Sequence, residues 1–240
     1  MVWLRSFVFQ FYFFASVCIA ALTIFICFFM PYRFRFGIAR LWSRSMLAAG
    51  KFLCGMDYVI EGTENLPDEP CVVMIKHTTV FEAYAQMVAF PAQAWVVKRE
   101  LLWIPFFGWG LAAMKPIAIN RGSGHSAVKQ VIERGKALLG EGVWVTIFPE
   151  GTRVAAGQTR RYGISGAALA KEAQCPIVPV AQNAGDLWSR RGLKKRPGLV
   201  RFCIGPPILP GDRPAKETNE LVQTWIEKKM SEISVGYHDK

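Results

Sequence analysis

The sequence predicts an α/β fold: a mixed, mostly parallel sheet flanked by helices, with an N-terminal hydrophobic, membrane-anchoring helical segment in front of it. Three observations carry this. From Met56 onward, short apolar runs alternate with stretches of helical spacing, the pattern of strands joined through helices that cover both sheet faces. Polar residues fall at or just past the ends of those runs, where chemistry in such sheets collects. Before them, Phe7 to Met30 holds about 24 residues without a charge; as a helix it is roughly 36 Å long, against a bilayer core of about 30 Å.

The first element has a rival reading, a signal peptide. That would have an apolar region of about 7–15 residues behind a basic start and before a small-residue cleavage site. Here the run is longer, only Arg5 precedes it, and it leads into "MPYRFRFGIARLWSR". It reads as a retained membrane segment. Arg33, Arg35, Arg40 and Arg44 follow it, so the positive-inside bias places the rest of the chain in the cytoplasm, at the inner face of the cell membrane. Phe34 to Leu53 has helical spacing, with two readings: a helix in the interface with its arginines toward headgroups, or a helix packed on the core. Residues 1–55 thus form an N-terminal membrane part and 56–240 the α/β domain.

Within that domain "DYVIEG", "CVVMIK", "AWVVK", "PIAINR", "VWVTIF", "PIVPVAQ" and "LVRFCIGPPI" read as strands. The prolines of "PIVPVAQ" predict an edge position or an irregular strand. Val80–Phe90, Ser126–Leu139, Ser165–Ala173 and Thr218–Ile233 read as helices, and "LLWIPFFGWGLAAM" is an apolar stretch broken by Gly and Pro.

Composition narrows the function. The apolar fraction is 52% and the net charge +11. A basic chain with a membrane helix faces anionic lipid more readily than nucleic acid, and no zinc-finger spacing or basic region leading into heptads supports the latter. The six cysteines form no C-x-x-C pair and two lie in the apolar run; neither a disulfide framework nor a zinc site is expected.

Of three histidines, His238 lies at the C-terminus and His125 in the loop "RGSGHSA", leaving His77 as the candidate base. Glu82 follows five residues later. On one helix those positions lie about 500° apart, on different faces, so the two meet only if His77 sits in the turn before the helix. Thr79-x-x-Glu82 fits a capping box. Glu82 therefore has two readings, a helix cap or an orienter of His77, and a carboxylate with two oxygens can be both. A base without its own nucleophile needs a hydroxyl from the substrate. In "TIFPEGTRV", Gly151, Thr152 and Arg153 suit an anion, with Glu150 holding Arg153 or Arg121; a plain polar turn is the other reading. Arg121 before Gly-Ser-Gly suits an anion equally, but is not a Walker loop. "CPIVPVAQ" alone says packing.

Taken in order, "KHTTVFE", "INRG", "FPEGTR" and "PIVPVA" behind a membrane segment resemble the glycerolipid acyltransferase family, specifically the 1-acylglycerol-3-phosphate acyltransferases of bacterial phospholipid synthesis. "VVKRELLWIPFFGWGLAAM" also resembles that family's block between its first two motifs; the likeness covers roughly Tyr58 to Pro207. It implies His77 as general base and Glu82 in the place of the family's aspartate. It implies Arg121, Glu150, Gly151, Thr152 and Arg153 on the acceptor phosphate, and Pro176, Ile177, Val178 and Pro179 on the acyl side. Two residues depart from the pattern: Glu82 itself, and Lys76, where a small polar residue commonly precedes the histidine. The resemblance further implies transfer of an acyl group from acyl-CoA or acyl carrier protein to the 2-hydroxyl of lysophosphatidic acid, with neither metal nor bound cofactor because the thioester is already activated. Membrane lipids are the expected partners and nucleic acid is not one. Leu101 to Leu111 would line an acyl path or simply fill the core, and the basic stretch Arg190, Arg191, Lys194, Lys195 and Arg196 would receive an acidic carrier or sit on lipid. Lysophosphatidylglycerol, lyso-ornithine lipid, or lipid binding without turnover are the competing assignments.

Overall fold

A computed structural model describes residues 1–190 and 192–237, apart from the Arg121 side chain; Arg191 and His238 lie outside the described residues. Two helices come first, α1 (Val2–Ile26) and α2 (Tyr32–Cys54). The domain follows as β1 (Met56–Glu61), β2 (Val72–Ile75), α3 (Phe81–Ala89), β3 (Gln93–Lys98), α4 (Phe107–Ala112), β4 (Ile117–Ile119), α5 (His125–Gly140) and β5 (Trp144–Ile147). It closes with α6 (Ser165–Ala173), β6 (Ile177–Gln182), α7 (Ala184–Leu187), β7 (Gly198–Ile204) and α8 (Ala215–Ile233).

The strands form one sheet in the order β1-β7-β6-β2-β5-β3-β4. Every neighbouring pair is parallel except β6 and β7. β2 is buried along its whole length, and side chains alternate across its pleat. Val72 and Met74 pack with Val131 of α5, Leu169 of α6 and Ile226 of α8. Val73 and Ile75 pack with Met46 and Leu47 of α2 and Phe81 and Tyr84 of α3. This parity carries past the strand end and decides where the next two side chains go.

β6 departs from the edge or irregular position that its prolines predict: it is an interior strand between β7 and β2. Its odd-numbered amides face away from β2, as the Ile177 N–H shows by donating to Ile208 at 2.9 Å. The missing N–H of Pro179 therefore falls on the β7 side, at the end of that pairing, and costs the sheet no bond to β2.

α2 settles against the domain rather than turning its arginines toward headgroups throughout. Arg40 donates to the Met87 carbonyl at 2.9 Å and the Phe90 carbonyl at 2.7 Å, capping the end of α3, and Arg35 donates to Ala113 beyond α4. Free carbonyls at a helix end attract cations. Arg33 and Arg44 remain exposed. α1 is fastened along the same surface. Ser6 Oγ accepts the Lys195 amide at 2.9 Å, and Gln10 Oε1 accepts its ammonium at 2.6 Å. Near the other end, a Cβ on Gly110 of α4 would stand 2.5 Å from the Ala21 carbonyl oxygen, so only glycine permits that approach. The outward face of α1 is apolar and exposed at Trp3, Leu4, Phe7, Phe11 and Phe14.

Candidate active site

His77 and Lys76 follow β2 at the carboxyl edge of the sheet and leave in opposite directions. His77 continues the parity of Ile75 and turns toward α3. There its Nδ1 lies 2.8 Å from Glu82 Oε1. The same oxygen accepts the main-chain N–H groups of Thr78 at 2.7 Å and Thr79 at 2.8 Å, and Oε2 accepts the Thr79 hydroxyl at 2.7 Å. Thr79 Oγ1 in turn accepts the Phe81 amide at 2.8 Å. Both readings of Glu82 hold at once: it closes the turn that starts α3, and it braces the histidine. Glu82 Oε1 already accepts two amides, so Nδ1 is the donor of this pair, and in the neutral ring the lone pair then falls on Nε2. Nε2 has no partner among the described residues. The ring is stacked on Phe148, centroids 4.0 Å apart and planes 18° off parallel, which fixes its tilt.

Beside the ring lies an apolar cavity of about 270 Å³. His77, Phe148, Tyr84, Met87 and Trp95 line it, with Phe13 and Val17 of α1 and Trp42 of α2. A smaller void of about 70 Å³ shares Val17, Trp42, Met87 and Trp95 with it and continues to Ala21 and Gly110. The Leu101 to Leu111 stretch divides between the two fates open to it: Leu101, Phe107 and Leu111 line the cavity, whereas Trp103, Ile104, Phe106 and Trp109 are exposed.

Glu150 follows β5 and is buried, and among the described side chains its ion partner is Lys76 rather than Arg153. Its Oε1 lies 3.2 Å from the Lys76 ammonium and its Oε2 accepts the His77 amide at 3.3 Å. Gly151 turns the chain at φ 66°, a conformation glycine takes without strain. The next residues run back along His77, whose carbonyl accepts the Val154 amide at 2.8 Å. Thr152 and Arg153 are thus adjacent to the histidine in the backbone, with the Arg153 guanidinium donating to the Arg190 carbonyl at 3.3 Å. Arg121 begins a 3-10 turn after β4, at the same sheet edge, and its side chain lies outside the described residues.

Sequence reasoning missed Arg160 and Arg161. Both line a second cavity of about 290 Å³ that also holds Glu150, Gly151 and Ser165 and shares the Phe148 wall. They follow no motif spacing; only the return of the loop to the start of α6 places them there. Pro176, Ile177, Val178 and Pro179 are not among the residues lining these cavities, and they pack in and beside the centre of the sheet. Lys195 is not free to receive an acidic carrier: it is buried, donates to Gln10 and Leu193, and sits 4.5 Å from the Trp188 ring centroid. Burial brings its ammonium down to about 8.

A braced imidazole beside an apolar cavity at the carboxyl edge of an α/β sheet is the layout of an α/β enzyme site. The chain belongs to the Acyltransferase family, whose sequence profile matches residues 57–183. It is 39% identical over 217 residues to a 1-acyl-sn-glycerol-3-phosphate acyltransferase of Pseudomonas aeruginosa, covering 89% of this chain and 84% of that protein. It is 29% identical to the human 1-acyl-sn-glycerol-3-phosphate acyltransferase alpha, covering 72% of this chain and 64% of the human one. Its fold matches the crystal structure of the 1-acyl-sn-glycerophosphate acyltransferase from Thermotoga maritima, with a TM-score of 0.78 over 96% of both chains at 20% identity.

Proposed function

We propose that this enzyme acylates the 2-hydroxyl of 1-acylglycerol-3-phosphate from an acyl thioester, giving phosphatidic acid, at the cytoplasmic face of the membrane. The observation that supports it most is the His77–Glu82 pair beside the apolar cavity. In this reading the lysolipid hydroxyl gives its proton to His77 Nε2 as its oxygen attacks the thioester carbonyl carbon. Glu82 stabilises the imidazolium that develops. The carbon–sulfur bond then breaks, and the departing thiolate takes the proton back from His77. The acyl chain occupies the cavity beside His77. The acceptor phosphate is assigned to Arg121 and Arg153 beside the Gly151 turn, with Arg153 exchanging the Arg190 carbonyl for phosphate oxygens. The donor is acyl-CoA or acyl carrier protein.

The exposed aromatic and aliphatic residues of α1, with Phe28, Phe29, Trp103 and Trp109, support a membrane-facing surface. Each CH₂ of an acyl chain exposed to water costs about 0.8 kcal/mol, so a cavity next to the bilayer shortens the wet path. The test is a radiolabelled transfer assay with purified protein, lysophosphatidic acid and each donor in turn, beside lysophosphatidylglycerol and lyso-ornithine lipid. Phosphatidic acid as the main product supports the reading. Turnover of another lysolipid but not of lysophosphatidic acid overturns the acceptor, and lipid binding without any turnover overturns the reaction.

A further inference from the structure

Lys76 follows the parity of Met74 and enters the core on the α8 side, opposite to its neighbour His77. It is fully buried. Its ammonium donates to Glu227 Oε1 at 2.7 Å and to the Gln158 carbonyl at 3.2 Å, and lies 3.2 Å from Glu150 Oε1. The hydroxyls of Tyr162 and Tyr237 donate to Glu227 at 2.9 and 2.6 Å. A cation and two carboxylates thus sit largely out of water, where each ion costs several kcal/mol of lost solvation before pairing. One arm of the cluster reaches the reaction side: Glu150 Oε2 accepts the main-chain N–H of His77.

We infer that Lys76 and Glu227 are positioning residues for acyl transfer: together they set the charge on Glu150, and through it the placement of the His77 main chain and of the Gly151 turn. This rests on the proposed reaction at His77 and adds α8 to the parts that govern it. The titratable and charged groups around Glu150 are Lys76 from the end of β2, Glu227 from α8, Tyr162 ahead of α6, Tyr237 from the last described turn, and, across the second cavity, Arg160 and Arg161. Burial pushes the Glu150 carboxyl up to about 7, Lys76 pulls it back, and Glu227 adds to the rise. Glu150 therefore changes charge near neutral pH, and Lys76 and Glu227 act on it with opposite sign. An ionised Glu150 accepts the His77 amide as a charge-assisted bond; a neutral one holds it more weakly.

The test is a titration of the Glu150 carboxyl by difference infrared spectroscopy on the full chain, assigned by loss of its band in Glu150→Gln, together with the pH dependence of kcat/KM. Lys76→Met raises the Glu150 midpoint by a unit or more, and kcat/KM below the midpoint falls about tenfold for each unit of rise. Glu227→Gln lowers the midpoint, because Lys76 then serves Glu150 alone. Position 227, with 19% of its side chain exposed, tolerates the isosteric change, and its downward shift decides the matter should Lys76→Met not fold. Midpoints that stay put, or move the same way in both variants, overturn the inference. So does wild-type kcat/KM across the pH range in Lys76→Met. If the wild type transfers no acyl group, the proposed reaction fails, while the infrared titration still reports on the cluster.

Discussion

Two basic side chains leave the end of β2 side by side and reach opposite surroundings. His77 meets one carboxylate, Glu82, whose oxygens are filled by Thr78, Thr79 and the ring itself. Its other nitrogen is left beside a cavity. Lys76 meets two carboxylates: its ammonium donates to Glu227 and to a carbonyl and lies 3.2 Å from Glu150. On this second side the balance is less complete: Glu150 Oε1 is buried beside the ammonium yet accepts no hydrogen bond. The contrast separates two uses of a buried acid. Where the carboxylate is saturated by local donors, it serves as a fixed brace for the ring beside it. Where it is held mainly by charge in a closed space, its own protonation becomes the variable.

The contrast breaks most visibly at His77. His77→Ala should lower the transfer rate by about 10²–10⁴-fold, while circular dichroism and thermal melting show a folded protein; a rate near wild type would remove the base from that side. Lys76→Met should act in the other way, on stability first. Removing one partner of a buried ion pair costs about 3–5 kcal/mol, read by denaturant unfolding in detergent. The sign of its pH dependence follows from Glu150. A carboxyl raised in the folded state stabilises the fold below its usual range near 4.5 and loses that contribution as pH climbs through about 7. The deficit of Lys76→Met should therefore widen from pH 5 to pH 8, and a deficit independent of pH would mean that Glu150 stays charged throughout. Glu82→Gln comes next. It sets an amide NH₂ among donors at a cost of about 1–3 kcal/mol and weakens the brace on His77, whereas Glu82→Asp should keep part of the rate. If glutamine keeps the full rate and loses only stability, Glu82 is a cap and nothing more. The smallest effect is Tyr237→Phe, which removes one hydroxyl from Glu227 and should cost about 1 kcal/mol with kcat unchanged in the transfer assay.

What the sequence revealed of this arrangement was what neighbours in the chain decide. The five-residue spacing of His77 and Glu82 required His77 to lie in the turn before α3 if the two were to meet, and the local Thr79-x-x-Glu82 pattern allowed it. The strand and helix runs followed from periodicity in the same way. Lys76 was visible only as an oddity, because its partner Glu227 lies 151 residues away on α8 and no local pattern encodes how that helix is aligned with the sheet. The same reason hid Arg160 and Arg161, and it left open the two readings of the helix that carries Arg40, whose target carbonyls end a helix 47 and 50 residues later. The prolines of β6 misled for a different cause: a missing amide is harmful only on a side that needs it, and which side that is depends on the strand's neighbours.

The alternation at the end of β2 has a bearing on how such a protein can drift. Inserting or deleting a single residue in that strand would exchange the destinations of two adjacent side chains, driving an ammonium into the hydrocarbon slot and an imidazole between two acids. Length changes are thus forbidden at this point of the chain, while the surface turns remain free to grow or shrink.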